Sequence, residues 1–312
     1  MQKVPELSLK EYTHGSATDK ARFTDQLFSG LKQYGFIILR DHPVDVPLLR
    51  AAYALSEKLF ALPEAVKDDY ISGAGGGQRG YTPFGREHAK GNRFPDLKEF
   101  WHVGRDLAPS HRLKKFFPDN IWPSELAEFE PVFRQIFAAL DETGRIMLQA
   151  LTKPLEVDAE YFTRMTDVGS SVLRLLHYPP IADGADKNCI RAAAHEDINL
   201  ITLLVSASSS GLELLTREGE WLPVNTSPEN IIVDSGDMLA RITNDVIPST
   251  THRVVNPSGP NVSRYSMPFF MHPNPDALLS CIPSCRGAGA KSEDILANDF
   301  LMERLREIGL TK

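Results

Sequence analysis

The chain has 312 residues and carries 34 Lys and Arg against 41 Asp and Glu, for a formal charge of -7. That balance argues against a general nucleic-acid surface, and no stretch approaches a transmembrane span, so neither nucleic acid nor membrane is an expected partner. Cys189, Cys281 and Cys285 are too few for a disulfide framework, and residues 1–5 lead into no signal-peptide core. The expectation is a cytoplasmic, monomeric protein with a core large enough to fold unaided.

Residues 21–34 read as a helix, with Phe23, Leu27 and Leu31 at four-residue spacing, and Gly35 ends it before the strand-like Phe36-Ile37-Ile38-Leu39. A second helical pattern covers 45–60, and Leu62-Pro63 stops it. The stretch 72–95 is the least regular, with Gly73, Gly75, Gly76 and Gly77 leading into Gln78-Arg79-Gly80-Tyr81. These glycines lack the spacing and the Lys-Ser/Thr ending of a phosphate loop. The segment reads instead as a loop over a pocket, with Arg79 and Tyr81 placed to touch a small substrate. Residues 96–103 read as a strand. Residues 123–151 form the longest predicted helix, in which Phe129, Phe133, Phe137 and Leu140 make a buried stripe.

From Ser170 onward the character changes to short apolar runs at 172–178, 199–207, 211–215, 230–233, 238–242, 252–255 and 265–270. Their lengths and the turns between them favour a two-layer β fold, a jelly roll. Gly236-Asp237 reads as a turn before the run at 238–242, and 292–308 as a closing helix begun by Ser292. The expected architecture is mainly β with α support. Residues 1–165 form an N-terminal helical and α/β support region, 166–290 the jelly-roll catalytic core, and 291–312 a C-terminal helix packed on it.

Within the β region stand His195-Glu196-Asp197, His252-Arg253 and Arg264-Tyr265-Ser266. On a strand His195 and Asp197 point the same way, and a distant imidazole from His252 completes two nitrogens and one carboxylate around a single ion. That donor set suits mononuclear iron(II) and leaves positions for a chelating 2-oxo acid and dioxygen. Zinc takes similar donors, but an open redox-active site makes better use of the remaining residues. Arg264 and Ser266 share the same two-residue alternation, so a guanidinium fork and a hydroxyl can grip one carboxylate while the far end of that dicarboxylate chelates the metal. Candidate substrate contacts are Arg79, Tyr81, Phe100, His102, Arg191, Phe270 and His272. A cupin-like metal-binding or interaction module without oxidative activity is the alternative outside the enzymes.

Taken in order, Leu175-Leu-His-Tyr-Pro-Pro180, His195-Glu-Asp197, Gly236-Asp237, His252-Arg253-Val254 and Arg264-Tyr-Ser266 give the chain a clear likeness. It resembles the isopenicillin N synthase-like iron(II)/2-oxoglutarate-dependent oxygenases over nearly its whole length, with Phe60-Ala-Leu-Pro63 and Asp96-Leu-Lys-Glu99 matching N-terminal features. The resemblance implies a double-stranded β-helix (a distorted jelly roll) with His195, Asp197 and His252 as catalytic iron ligands. It implies that Arg264 and Ser266 bind the distal carboxylate of 2-oxoglutarate, with help from Tyr178. Many relatives have asparagine two positions before that tyrosine, where this chain has Leu176, so one polar cosubstrate contact is missing. The implied reaction is oxidation of a small organic substrate by hydroxylation, with formation of succinate and carbon dioxide. Isopenicillin N synthase itself needs no 2-oxo acid, which makes a 2-oxoglutarate-independent oxidase or cyclase the runner-up.

Overall fold

The computed structural model of the chain describes residues 3–307 apart from 73–77, 87–95, 183, 185, 187, 188, 206 and 209. Up to residue 104 the strands are β1 (Glu6–Ser8), β2 (Phe36–Arg40), β3 (Gly80–Thr82) and β4 (Glu99–Gly104). Among and after them lie helices α1 (Leu9–Thr13), α2 (Ala17–Tyr34), α3 (Val46–Phe60), α4 (Glu64–Asp68), α5 (Phe129–Leu151) and α6 (Tyr161–Thr166). Next come β5 (Val172–Tyr178), β6 (Ala192–His195), β7 (Ile201–Val205), β8 (Leu212–Leu215), β9 (Trp221–Pro223) and β10 (Ile231–Ser235). The chain closes with α7 (Asp237–Ile242), β11 (His252–Val254), β12 (Arg264–Met271), β13 (Leu278–Leu279), β14 (Ile295–Leu296) and α8 (Ala297–Glu307).

The strands form an eight-stranded sheet in the order β1-β2-β10-β7-β12-β5-β4-β3 and a four-stranded sheet in the order β6-β11-β8-β9. Together they make the jelly roll that the sequence predicts, with helices on the outer face of the larger sheet. Period-two alternation explains the layering. Leu173 and Leu175 of β5, Ile201, Leu203 and Val205 of β7, and Met267, Phe269 and Met271 of β12 join the core shared with α2, α3 and α5. The intervening residues face the smaller sheet, where Phe36, Ile38, Leu176, Tyr178, Leu212, Leu214, Ile232 and Val254 form a second core. That second core opens into a cleft, because polar side chains interrupt it along β5, β7, β10 and β12.

Helix α2 starts earlier than its apolar spacing indicates, at Ala17, because Ser16 and Asp19 make a reciprocal capping box. It ends at Gly35, which adopts φ 66. A Cβ there would stand 2.0 Å from Thr250 Oγ1, so the position needs glycine for its conformation and for its neighbour alike. Gly35 O accepts from Ser235 N at 2.9 Å, which ties the α2–β2 corner to the end of β10.

Three predicted elements differ in the structure. The run at 238–242 is not a strand but the helix α7 (Asp237–Ile242), with Gly236 as its extended N-cap. A short, continuously apolar run satisfies a buried helix turn as well as a buried strand, and Met238, Leu239 and Ile242 are all buried here. Asn244 and Asp245, with φ 52 and 62, then turn the chain back. The closing helix begins at Ala297 rather than Ser292, since Ile295 and Leu296 pair with Leu278 and Leu279 in a small hairpin. The long helix begins at Phe129 rather than at 123. The glycine run from Gly73 to Gly77 lies outside the described residues, whereas further along the predicted loop Gly80–Thr82 forms β3, paired with β4.

Candidate metal centre

His195 ends β6 and His252 begins β11, and the two are direct partners across that antiparallel ladder. Their rings stand 4.4 Å apart between centroids. Asp197 is not on the strand as predicted, for β6 stops at His195. It reaches the histidines from a turn that the N-terminus of α7 pins in place. Asp237 N donates to Asp197 O at 2.7 Å, and Met238 N donates to Asn199 O at 3.0 Å. Gly236 permits this approach, since a Cβ on it would lie 2.3 Å from Asn199 Oδ1 and 2.7 Å from Asp197 O. The Gly236-Asp237 pair therefore positions a ligand-bearing loop.

Asp197 Oδ1 lies 3.8 Å from His195 Nε2 and 3.9 Å from His252 Nε2. Donor atoms of the three residues all fall within 4.8 Å of one another. Each imidazole is oriented from behind, with His195 Nδ1 2.7 Å from Ala193 O and His252 Nδ1 3.1 Å from Thr250 O. A carbonyl can only accept, so the proton sits on Nδ1 and the Nε2 lone pair faces the site. Thr202 Oγ1 donates to Asp197 Oδ2 and itself accepts from Asn199 Nδ2 at 2.9 Å, which fixes the carboxylate plane.

The electrostatics suit a cation. Burial, reinforced by the neighbouring His252, holds the His195 imidazole below its ordinary value, so it is neutral and ready to ligate at neutral pH. Burial alone would raise Asp197, but His252 and His195 outweigh it and keep the carboxyl below the ordinary range. Asp234, buried beside Asp197, goes the other way, raised by burial and by the Asp197 charge. Two neutral nitrogens and one carboxylate on one side of an ion are the facial donor set of mononuclear non-haem iron, and the residues present fit it.

The site opens into a cleft enclosing about 550 Å³, counting the solvent at its mouth. Its floor is one face of β5 and β12. Arg264 pairs with Tyr178 and Ser266 with Leu176 across that ladder, and all four line the cleft. The Arg264 guanidinium lies 5.0 Å over the Tyr178 ring, and its Nη1 donates to Ser266 Oγ at 3.3 Å. Leu176 presents an apolar wall opposite Ser266, where a polar residue would have faced the same space.

Of the predicted substrate contacts, Phe270 lines the cleft. The others are placed elsewhere by strand register and burial. Tyr81 donates to Glu99 in a buried cluster in which Glu99 also takes Lys67 Nζ at 2.7 Å and His177 Nδ1 at 2.7 Å. Arg79 is buried and donates to Gln78 O at 2.7 Å. Arg191 is buried and donates from Nη2 to Val262 O at 2.6 Å. His272 is buried with its Nδ1 3.2 Å from Phe270 O. Phe100 and His102 pack against Arg174, which does line the cleft and which the sequence reading passed over. Lys98, Thr202 and Asp234 line it too. Alternation could have found Arg174, because it stands two and four residues before Leu176 and Tyr178 on the same strand face.

A jelly roll carrying two histidines and one carboxylate beside a buried Arg-x-Ser defines a class of enzyme, and the chain belongs to the 2OG-Fe(II) oxygenase superfamily. Residues 169–273 match the model of that superfamily, and residues 4–125 match the N-terminal model of the non-haem dioxygenase in morphine synthesis. A 2-oxoglutarate-Fe(II) type oxidoreductase of Aspergillus fumigatus is 32% identical, over 89% of this chain and 84% of that protein. The crystal structure of a 2OG-Fe(II) oxygenase family protein from Caulobacter crescentus is 42% identical, covers 99% of this chain and 100% of its own, and superposes with a TM-score of 0.88. A full-length Neurospora crassa protein crystallised in complex with α-ketoglutarate and thymine is 28% identical, with coverage of 97% and 96% and a TM-score of 0.87. The chain is thus an Fe(II)/2-oxoglutarate-dependent oxygenase of small organic molecules. This sets aside the non-enzymatic module and the 2-oxoglutarate-independent oxidase or cyclase.

Proposed function

We propose that the enzyme hydroxylates its substrate, with His195, Asp197 and His252 holding iron(II) and Arg264 and Ser266 holding the distal carboxylate of 2-oxoglutarate. The observation that carries this reading is the common cleft: the three donors and the buried Arg264–Ser266 pair line the same space. Bound iron(II) would supply activation of dioxygen coupled to decarboxylation of 2-oxoglutarate, giving succinate and carbon dioxide.

The chain's own groups do the placing. Arg264 meets a carboxylate with a planar fork, and burial in the cleft floor strengthens that charge-assisted bond by excluding water. Tyr178 backs the guanidinium with its ring and shares the cosubstrate end of the cleft. Thr202 keeps Asp197 from rotating, and the two backbone carbonyls keep the imidazole nitrogens aimed inward. Leu204, Leu212, Val254 and Phe270 supply the apolar wall against which a small substrate packs. The Neurospora complex with thymine supports a substrate of that size.

Within this reading, residues 166–290 are the catalytic core, with 1–165 supporting it and 291–312 closing it. Three free cysteines support a reducing, cytoplasmic setting. Among the described residues no helix is long and apolar enough to cross a membrane. Anaerobic addition of 2-oxoglutarate to the Fe(II)-loaded protein should give a visible metal-to-ligand charge-transfer band, and substrate should then yield one hydroxylated product per succinate. A desaturated or cyclised product at that ratio would overturn the hydroxylation assignment.

A further inference from the structure

The strand that carries His195 is the edge of the smaller sheet, whose order is β6-β11-β8-β9, so one of its sides has no strand beside it. It is also irregular. His195 pairs with His252 and Ala192 with Val254, so Ala192 to His195 on β6 faces the shorter step from His252 to Val254 on β11. The extra residue makes a bulge that ends at the ligand. Backbone groups at a bulged edge fall outside the ladder and need other partners.

Those partners come from the chain that leads into β4 of the larger sheet. Leu97 N donates to Ile190 O at 3.1 Å, just ahead of β6. Asp96 Oδ1 accepts from Ala193 N at 3.0 Å. Ala193 O in turn accepts from His195 Nδ1 at 2.7 Å. The Ala193 backbone is thus held at its nitrogen by Asp96 and holds the imidazole with its oxygen. Asp96 Oδ2 lies 2.9 Å from Lys98 Nζ, and both side chains are buried. A carboxylate that accepts from a backbone N–H makes a charge-assisted bond, stronger still where water is excluded. Asp96-Leu-Lys-Glu99 therefore joins the two sheets, with Asp96 on β6 and Glu99 on His177 of β5.

We propose that Asp96 is a positioning residue for the metal centre, setting the aim of His195 Nε2 through the Ala193 backbone as Thr202 sets Asp197. This rests on His195 being an iron ligand. Lys98 holds the second oxygen of the Asp96 carboxylate and so keeps the first one turned to Ala193.

The test is anaerobic Fe(II) titration of the full chain, with urea unfolding of each variant alongside. Asp96→Leu with Lys98→Met removes the acceptor without stranding a buried ammonium, and should weaken Fe(II) by about 10- to 100-fold. Asp96→Asn with Lys98→Met puts an amide oxygen where Oδ1 stood and should recover most of that loss. Affinity is read under conditions in which circular dichroism shows each variant folded. A merely structural Asp96 would lower the urea midpoint and leave Fe(II) affinity alone, and that result would overturn the proposal. Equal losses in the two double variants would overturn it too, by removing the bond to Ala193 from the explanation. If Asp96→Leu with Lys98→Met does not fold, Asp96→Glu takes its place. It keeps the charge but moves both oxygens by a methylene, so it should weaken Fe(II), and unchanged affinity would refute the proposal. His195→Ala tests the premise separately: if it leaves Fe(II) affinity unaltered, the ligand reading of His195 is what fails.

Discussion

His195 and His252 face each other as register partners on β6 and β11 although 57 residues separate them in the chain. The ladder brings the imidazoles together, and the turn held by α7 brings Asp197 to both at nearly equal distances of 3.8 and 3.9 Å. Strand pairing and the backbone hydrogen bonds of that turn thus bring the three side chains together.

The support behind Asp197 leads to a first prediction. Thr202→Val keeps shape but removes the hydroxyl that holds Asp197 Oδ2, and should weaken Fe(II) by about 10- to 100-fold. Thr202→Ser should recover most of that loss, and His252→Ala should exceed it. Anaerobic metal titration decides the matter; equal affinity in Thr202→Val and the wild type would show that Asp197 is oriented by other means.

Cosubstrate binding should respond separately from metal. Arg264→Lys keeps the charge but loses the fork, so 2-oxoglutarate affinity should fall by about tenfold or more with Fe(II) affinity unchanged. Ser266→Ala should act in the same direction and less strongly. Calorimetry with Fe(II) first and 2-oxoglutarate second reads both, and an unaltered second titration in Arg264→Lys would remove Arg264 from the cosubstrate site.

The cluster of Lys67, Glu99, Tyr81 and His177 is expected to govern stability. Glu99→Gln leaves the Lys67 ammonium buried without its carboxylate and should cost about 3–5 kcal/mol in urea unfolding. Lys67→Met combined with Glu99→Gln should recover part of this. Tyr81→Phe should lower stability by less and leave the KM for substrate alone. A raised KM with unchanged stability would instead return Tyr81 to the substrate pocket.

His272 gives the fold a pH dependence whose sign is fixed by its burial. Burial pushes its imidazole from 6.5 down to about 4, so between these values the unfolded chain binds the proton that the folded one refuses. The contribution is complete above pH 6.5 and is lost as pH falls toward 4. Across that window the wild type should lose about 3 kcal/mol more than His272→Gln. Urea midpoints measured from pH 7 to 4 check this, and parallel profiles for the two proteins would refute it.

Much of this was legible in the chain because local rules were enough. Strands at 172–178 and 265–270 show in sequence since a sheet with helices on one side and a cleft on the other imposes an alternating pattern. The metal ligands show because few residue types bind iron(II), and their order with Arg264 and Ser266 fits one chemistry. Other features belonged to the tertiary structure. The apolar run that became α7 satisfies helix and strand equally, and its choice was made by Gly236 packing against the Asp197–Asn199 turn. Tyr81 and Arg174 were decided by register. Tyr81 pairs with Trp101 and turns its hydroxyl to Glu99, whereas Arg174, two residues before Leu176, turns to the cleft. A shift of one residue would exchange those faces, and pairing between distant strands, not the local sequence, sets that parity.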